Sequence, residues 1–600
     1  MPQRRAFFLR TLKIVAAVAV ALAVASCGGG DRAESGAEQF ATQMRALGAL
    51  PPSQAAPLNA GPTVTADMVI DWAEFKFRDL FPKALGVRFP AVVVDGVTYN
   101  ARAYPVGGSF RYLGITPDGR VFGLGDFTNN ALQQFESTTF WSAQVMADQC
   151  AVNPATCAGP IPAAFPRVGG VYQLPDYPST RQLTWVLAQL AASSTSIADI
   201  NARFSPEALA TTSAAQWQML LQQIRSSSPG AVVVDLILSS PTSVTALIGT
   251  PGNPATGRFL NLSTRYAGTG LINALTAPAY ALNGSVQFSA DRALTMAQAA
   301  DKFLTLAPGA SVLVARINNH QCLPIEARSS TTPRAIGSIF KVWVLGATAQ
   351  AVQEGAISPS AVVQLVAANR VLGSAMAAEP VGTPVPLSDM ATLMMGISDN
   401  TATDHLHRLV GRTFAEAQLA RFNNANPGLM TPFLSVNENF NLLHAAPAAA
   451  TAYINGTPDF RRNYVNTVLV PQGPWLGGPS NFAAFIPASW QASALDVCEA
   501  YAGMRRFTRG SEAMRLADRA LSAGVAQPFV RNEWERVWYK GGTLVDSNNS
   551  KLVLAHSWLL ETESRGTFVV VALANNPAGG IDEFQVQSVT GRILQLVKAL

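Results

Sequence analysis

Reactive and charged side chains are scarce in this chain. Its 600 residues include only five cysteines and five histidines, and 14% of the residues are charged. The net charge of +5 is spread along the chain, and no run rich in Lys or Arg follows the first thirteen residues. A nucleic-acid partner is therefore not expected.

The few histidines and cysteines also argue against a metal centre. His320, His405, His407, His444 and His556 form no HExxH or other metal-ligand spacing, and no Cys-x-x-Cys pair occurs. The sequence therefore predicts neither a metal site nor another cofactor. The 48% content of hydrophobic residues instead predicts globular units with sizeable cores, and the length predicts several of them.

The first 27 residues have the pattern of an export signal. The basic stretch MPQRRAFFLRTLK is followed by the apolar stretch IVAAVAVALAVA, which is too short to span a bilayer. The ending Val-Ala-Ser-Cys resembles a bacterial lipobox, which implies that Cys27 is acylated. Arg4-Arg5 also resembles a twin-arginine signal, so the Sec and twin-arginine export routes both remain open. We expect a lipid anchor at the periplasmic face of the cell envelope, with Gly28 favouring the outer membrane.

The other four cysteines would then lie in an oxidising compartment. Cys150 and Cys157 flank a turn that contains proline and predict a local disulfide. Cys322 and Cys498 are the remaining pair and predict a long-range disulfide.

Changes in composition divide the rest of the chain into four parts. Residues 28–62 are rich in Gly, Pro, Ala and Ser and predict a flexible tether. Residues 63–160 show one helical pattern, 65–81, and then alternating stretches around Asp-Gly turns, which predicts a small α+β helix-plus-hairpin module of unknown role. Its aromatic residues could form a ligand-binding face or a core. They are Trp72, Tyr99, Tyr104, Tyr112 and Trp141.

Two further domains complete the predicted α+β multidomain chain. Residues 168–290 carry helical stretches at 180–193 and 213–226, followed by strand-like stretches, which predicts a small α+β domain of cystatin/ketosteroid-isomerase-like type. It contains no cluster of acids, bases or histidines, so a packing role is the preferred interpretation. Residues 291–600 have strand-like stretches near both ends and helical ones between them. This order predicts one antiparallel sheet assembled from both ends plus an all-helical lobe, with a site in the cleft.

One Ser-x-x-Lys stands in that last domain, Ser338-Ile339-Phe340-Lys341. At a helix start this spacing puts the hydroxyl and the amine on one face, within reach of each other. Burial of Lys341 among apolar neighbours would favour its neutral amine, which could take the proton of the hydroxyl.

Two more motifs follow in order. Ser398-Asp399-Asn400 offers a hydroxyl that can relay a proton and an amide that can hold a carbonyl group. Lys540-Gly541-Gly542-Thr543 offers a strand edge for a substrate backbone and a cation for a substrate carboxylate. A second cation beside Lys341 would lower its pKa further.

These three motifs resemble those of the penicillin-recognising serine hydrolases, which include the class A β-lactamases and penicillin-binding proteins. The resemblance covers about 291–600 and implies a β-lactamase/transpeptidase-like fold; the whole chain looks most like a β-lactamase-related hydrolase of the clavulanic-acid gene cluster. It further implies that Ser338 is acylated, that Lys341 is its base and that Ser398 shuttles protons. Asn400, Lys540, Gly541 and Gly542 would bind the substrate, and the backbone N–H groups of Ser338 and Thr543 would form the oxyanion hole.

Two departures from the family pattern qualify this expectation. Lys-Gly-Gly replaces the commoner Lys-Thr-Gly, so a hydroxyl that helps to hold a substrate carboxylate is missing. Class A enzymes carry a glutamate, four positions before an asparagine, that positions the water for hydrolysis of the acyl-enzyme. In the corresponding region, residues 421–443, the only glutamate is Glu438, and Asn441 follows it by three positions. Glu438 is therefore either a displaced base or a solvated helix residue, and efficient β-lactamase activity is not expected.

The sequence thus predicts an exported serine hydrolase for an amide or ester, as a weak β-lactamase or an esterase. Its substrate would carry a carbonyl group and a carboxylate. Two alternatives remain open, a cell-wall peptidase of D-Ala-D-Ala type and an envelope-binding lipoprotein without activity.

Overall fold

The computed structural model divides the chain into two compact units, Met1–Cys157 and Ala158–Leu600. The described residues are 40–42, 87–94, 96–106, 109–115, 120–124, 141–142, 165–168, 171–250, 253–268, 270–280, 287–318, 320–478, 486–507 and 509–600. Cys27, Cys150, Cys157 and the helix predicted at 65–81 lie outside them, as do the side chains of the five aromatic residues of the first module.

The first unit contains a five-stranded antiparallel sheet in the order β1-β2-β3-β4-β5. Its strands are Val87–Val94, Val97–Val106, Ser109–Ile115, Arg120–Leu124 and Trp141–Ser142. Val94 pairs with Val97, and Gly96 between them has a φ of 81°. Gly96 therefore lies in a tight turn, at one of the Asp-Gly positions where the sequence predicted a turn.

The second unit begins with a short hairpin, four helices and a four-stranded antiparallel sheet in the order β11-β10-β9-β8. These elements are β6 (Arg167–Val168), β7 (Val171–Tyr172), α1 (Pro178–Ala191), α2 (Ile197–Arg203), α3 (Pro206–Thr211), α4 (Ala214–Ser227), β8 (Val232–Ser240), β9 (Ser243–Thr250), β10 (Asn253–Thr264) and β11 (Ile272–Thr276). The sequence predicted α1 and α4 but not the short helices between them. Ser196 and Ser205 cap these two helices by accepting backbone N–H groups.

The helices of this region pack on one face of its sheet. Phe204 stacks on Trp217 with ring centroids 4.8 Å apart, and both contact a core that includes Leu236 and Leu260. The region is thus α+β with helices before strands, as predicted, while its likeness to the cystatin/ketosteroid-isomerase type and the predicted domain boundaries stay predictions.

A second sheet of five antiparallel strands is assembled from distant parts of the chain, in the order β13-β12-β20-β19-β18. Its strands are β12 (Gly309–Asn318), β13 (Gln321–Arg328), β18 (Arg536–Val545), β19 (Lys551–Thr562) and β20 (Gly566–Asn575). Successive residues of β12 alternate between two cores, with Val312 and Val314 on one face and Leu313 and Ala315 on the other. Because both faces are covered, the strands read as continuous apolar runs.

Two helices, α5 (Met296–Leu304) and α17 (Glu583–Val597), cover one face of this sheet, and a helical lobe covers the other. The lobe contains α6 (Lys341–Gln353), α7 (Leu387–Gly396), α8 (Asn400–Val410), α9 (Arg412–Arg421), α10 (Val436–Leu443), α11 (Pro447–Asn455), α12 (Pro458–Tyr464), α13 (Val470–Gln472), α14 (Ala494–Met504) and α15 (Glu512–Leu521). The short helix α16 (Val530–Glu533) lies on the other side of the sheet, since Val530 packs in the same core as α5 and α17. Short strands β14 (Arg334–Ala335) and β17 (Gln491–Ala492) pair with each other, as do β15 (Val362–Gln364) and β16 (Pro384–Pro386). The predicted two-part architecture of the C-terminal half is confirmed.

Helix α6 runs through the middle of the lobe, and every residue from Lys341 to Val352 is buried. The sheet and the lobe are joined covalently, since Cys322 of β13 forms a disulfide with Cys498 of α14. None of the helices among the described residues combines the length and the apolar character needed to cross a membrane.

Candidate active site

Ser338 lies half-buried in a 3₁₀ turn, Gly337–Phe340, that leads into α6. The helix predicted to start at Ser338 thus begins with a tighter turn, and its α-helical part starts at Lys341. A Cβ at Gly337, where φ is 49°, would lie 2.9 Å from the Thr543 nitrogen. A Cβ at Gly542 would lie 2.8 Å from the Ser338 nitrogen. Only glycines permit this contact between the two backbone segments. The N–H groups of Ser338 and Thr543, which the resemblance assigns to an oxyanion hole, therefore lie on neighbouring segments.

The Lys341 amine is fully buried and fully hydrogen-bonded. Its Nζ donates to the Ser398 carbonyl oxygen at 2.6 Å, to Ser398 Oγ at 2.9 Å and to Asn400 Oδ1 at 2.7 Å. Burial lowers the pKa of Lys341 to about 7, although the charges of Asp399 and Asp404 oppose the shift. A substantial fraction of this amine is therefore neutral at pH 7.

No hydrogen bond joins Ser338 Oγ to Lys341 Nζ within the part of the chain that the structure describes, although the predicted helical spacing led us to expect the two within reach. The reason is that all three donors of an ammonium group are directed to Ser398 and Asn400. Loss of one proton would leave a lone pair on Nζ one helical turn from Ser338.

Ser398 stands between two lysines. Lys540 Nζ donates to Ser398 Oγ at 3.0 Å and to the Gly541 carbonyl oxygen at 2.7 Å. With both of its lone pairs occupied by Lys341 and Lys540, the Ser398 hydroxyl can donate its own hydrogen to a third group. This arrangement suits the predicted proton shuttle.

The second cation, Lys540, also has a perturbed pKa. Burial and then the charge of Lys341 hold the pKa of Lys540 well below its usual range. For Lys341 itself, burial is the cause of the lowered pKa. The two amines share Ser398 Oγ, so a positive charge on either one disfavours a positive charge on the other.

Two buried carboxyl groups beside Lys341 were not assigned a role from the sequence. Asp399 accepts the N–H groups of Ala402 and Met376, at 2.8 and 2.9 Å, and burial raises its pKa. Asp404, in α8, accepts those of Val436 and Asn437, at 2.6 and 3.0 Å.

Burial raises the pKa of Asp404 to about 7. Asp404 directly follows the stretch Asn-Thr-Ala-Thr, and these neighbours give no sequence signal that it is buried. Asp399 is the N-cap of α8, a position at which aspartate is common.

Glu438 is buried, which decides one of the two alternatives that the sequence left open; its assignment as a deacylation base stays a prediction. It is 7% exposed, and its oxygens accept from both terminal nitrogens of Arg412, at 2.9 and 2.6 Å, and from the Ser435 N–H at 2.8 Å. The interpretation as a solvated helix residue is wrong, because the carboxylate caps α10 and forms a buried ion pair. No hydrogen bond links it to Ser338 or Lys341 within the described residues. Asn441 donates instead to the Gly473 carbonyl oxygen.

The glycine that replaces threonine at position 541 has a packing cause. A Cβ there would lie 2.2 Å from the Tyr539 hydroxyl oxygen, which is hydrogen-bonded at 2.8 Å to Nδ1 of His556. Burial and the nearby Lys540 lower the pKa of His556 to about 4, so its ring is neutral at pH 7. The Tyr539 hydroxyl thus occupies the space that a larger residue 541 would need.

Among the described residues, no group of three or more His, Cys, Asp or Glu side chains is arranged to hold a metal ion. The site is built from amines, hydroxyls, an amide and backbone N–H groups.

Comparison with known proteins finds a family model that matches one segment of the chain. Residues 297–448 match the model of the β-lactamase enzyme family, which confirms the predicted resemblance there. This segment includes Ser338, Lys341, Ser398 and Asn400 and ends before Lys540. No curated protein sequence matches the chain significantly.

Solved structures similar to this chain include β-lactamases and a penicillin-binding protein. A β-lactamase from Chitinophaga pinensis is 14% identical with a TM-score of 0.35, and the match covers 50% of this chain and 97% of that one. A β-lactamase from Sphaerobacter thermophilus is 16% identical with a TM-score of 0.33, covering 50% and 96%. The protein PBP-A is 14% identical with a TM-score of 0.32, covering 50% and 96%.

Proposed function

We propose, from the match of residues 297–448 to the β-lactamase enzyme family, that this chain is a serine hydrolase that forms an acyl-enzyme at Ser338. One observation carries the proposal. A buried lysine amine with a pKa of about 7 is held by Ser398 and Asn400, one helical turn from a half-buried serine. The substrate is an amide or ester with a carbonyl group and a carboxylate.

The proposed acylation step uses Ser338, Lys341 and Ser398. The neutral Lys341 amine takes the proton of Ser338 Oγ as that oxygen bonds to the substrate carbonyl carbon. The N–H groups of Ser338 and Thr543 stabilise the negative oxygen. Lys341 then passes its extra proton to Ser398, whose hydroxyl hydrogen goes to the leaving nitrogen or oxygen as the carbonyl–leaving-group bond breaks.

The buried carboxylates of the described residues closest to a role in hydrolysis of the acyl-enzyme are engaged elsewhere. Glu438, the candidate from the sequence, is engaged by Arg412, and Asp404 is engaged by the N-terminus of α10. We therefore propose slow turnover of β-lactams, as in a weak β-lactamase or an esterase that accepts them poorly. The peptidase alternative shares this acylation chemistry, while the convergence of the motif residues disfavours a binding protein without activity. The relation to the clavulanic-acid gene-cluster hydrolase stays a prediction.

Covalent labelling tests the proposal. We expect a fluorophosphonate and a fluorescent penicillin each to add one label per chain, and the label to lie on the tryptic peptide 335–341, which contains a single serine. The penicillin adduct should persist for minutes or longer, because among the described residues Glu438 and Asp404 are both engaged by other partners. Intact-protein mass and peptide mapping measure both results.

Two serine variants control this experiment. Ser338→Ala should take up neither probe. Ser360→Ala changes an exposed serine outside the three motifs and should label like the parent. A folded parent protein that gains no mass with either probe would favour the binding-protein alternative.

We also propose that the chain is exported and held in the membrane by a lipid on Cys27, at the periplasmic face. The support is the lipobox-like ending Val24-Ala25-Ser26-Cys27 after a short apolar stretch. We expect Cys27→Ser to move the protein from the membrane fraction to the soluble fraction of expressing cells. Unchanged fractionation of that variant would refute the anchor.

A further inference from the structure

The turn that carries Ser398 is held in a strained conformation. Ser398 has a φ of 59°, in the left-handed region that is unfavourable for a residue with a side chain. Such a conformation persists only when neighbouring structure enforces it. Helix α7 ends just before the turn at Gly396, and the Asp399 N–H returns to the Leu393 carbonyl oxygen at 3.0 Å.

Strand β8 of the preceding α+β region lies behind this turn. As the edge strand of its sheet, β8 hydrogen-bonds to the segment between α15 and α16. The Ser239 N–H donates to the Ala523 carbonyl oxygen at 2.8 Å, and the Val525 N–H donates to the Ile237 carbonyl oxygen at 3.0 Å. The two parts of the second unit are thus joined by strand pairing as well as by side chains.

Side chains of the two paired segments fill the space beside Gly396. A Cβ at Gly396 would lie 2.9 Å from Ala523 Cβ, 3.5 Å from Ser240 Cβ and 3.6 Å from Leu238 Cδ1. Leu238 Cδ1 would also lie 3.7 Å from a Cβ at Gly524. Leu238 therefore sits against the backbone two residues before Ser398, with no side chain between them.

The same region also contacts the other end of α7. The Tyr266 hydroxyl donates to Asp389 Oδ2 at 3.1 Å, and Arg519 donates to Asp389 Oδ1 at 2.7 Å. Arg519 is itself oriented by the Tyr177 hydroxyl at 2.8 Å. Residues from outside the lobe therefore contact both ends of α7, with Leu238 at Gly396 and Tyr266 at Asp389.

A third contact reaches the residue after Ser398. Glu379 is 3% exposed and accepts the N–H groups of Tyr266 and Ala267, at 2.9 and 3.1 Å. Glu379 directly follows the turn Ala375–Ala378, and the Met376 N–H of that turn donates to Asp399 Oδ2 at 2.9 Å. Residues 265–267 and β8 thus hold the Ser398 turn from two sides; we call them the brace.

We propose that the brace positions Ser398 for proton transfer, with Leu238 as its main positioning residue. The proposal rests on the proposed hydrolase function. It gives the α+β region a role in that reaction, as a support for the Ser398 turn. Without the brace, α7 and the Ser398 turn would be free to relax toward ordinary backbone angles and to withdraw the hydroxyl from Lys341 and Lys540.

The test uses two variants of the full chain, each with a matched control. Leu238→Ala removes the contact with Gly396, and Val232→Ala changes an exposed residue of the same strand. Gly396→Ala forces a side chain into the brace, and Gly428→Ala adds the same methyl group where nothing lies within 4 Å. Hydrogen–deuterium exchange of peptides covering 393–402 and the rate of Ser338 labelling by a fluorophosphonate are measured for each folded variant.

We expect Leu238→Ala and Gly396→Ala to raise exchange in 393–402 and to lower the labelling rate by about fivefold or more, with both controls unchanged. Unchanged exchange in both variants would overturn the brace, and raised exchange with an unchanged labelling rate would overturn its role in positioning. If the parent protein does not label at all, the hydrolase proposal fails, while the exchange measurement still decides whether β8 holds the turn.

Discussion

Replacing Lys341 with methionine is expected to lower the rate of Ser338 labelling by about 10²–10⁴-fold, the contribution usual for a general base. The variant should still fold, because methionine has a similar length and carries no charge that must be desolvated at this fully buried position. The acceptors on Ser398 and Asn400 lose their donor, but the hydroxyl of Ser398 keeps its hydrogen bond from Lys540. The loss should therefore reflect the missing base.

Lys551→Met provides the matched control for this variant. Lys551 begins β19 and forms an ion pair with Glu583 at 3.3 Å, so the same substitution there removes a cation outside the site. Stopped-flow labelling with a fluorophosphonate, with circular dichroism to confirm folding, compares the two. A Lys341→Met protein that labels within a few-fold of the parent would show that another group takes the Ser338 proton.

The residues of the candidate site could be predicted from the sequence because their signals are local. Ser338 and Lys341 are one helical turn apart, Ser398 and Asn400 flank one turn, and Lys540 precedes two glycines. The structure adds the reason for those glycines, since Gly542 lets β18 touch the backbone at Ser338. A motif defined by such spacing can be recognised even where the predicted start of a helix is a few residues off, as at the 3₁₀ turn before α6.

The roles of the buried carboxyl groups could not be predicted, because each depends on a partner distant in the chain. Glu438 is an ion-pair partner since Arg412 folds beside it, 26 residues earlier. Asp404 has a raised pKa since the N-terminus of α10 and the core of the lobe enclose it. Neither neighbour is indicated by the residues next to Glu438 or Asp404 in sequence.

The position of the α+β region was equally inaccessible from the sequence. Its helices and strands follow from apolar periodicity and serine caps, but the pairing of Ser239 with Ala523 joins residues 284 positions apart. No pattern within β8 distinguishes an edge strand that pairs with a second domain from one that faces solvent. The preferred packing role of this region is compatible with the contacts found, and the brace gives that packing a proposed purpose.

The pH dependence of acylation follows from the state of Lys341. The neutral amine accepts the Ser338 proton and the ammonium cannot, so the rate should fall as the pH decreases through the pKa of about 7. The charged or titratable groups around this amine are Asp399, Asp404 and Lys540. Because the charge of Asp404 raises the pKa of Lys341, Asp404→Asn should move the inflection to lower pH.

The most direct test of the account is therefore the second-order rate constant for Ser338 labelling by an uncharged fluorophosphonate, measured from pH 5 to pH 9. An uncharged probe is chosen so that titration of Lys540 does not alter probe binding. We predict a tenfold rise per pH unit below about pH 7 and a plateau above it, with the inflection displaced downward in Asp404→Asn. A rate that is constant over this range, or that falls as the pH rises, would contradict the claim that a neutral Lys341 activates Ser338.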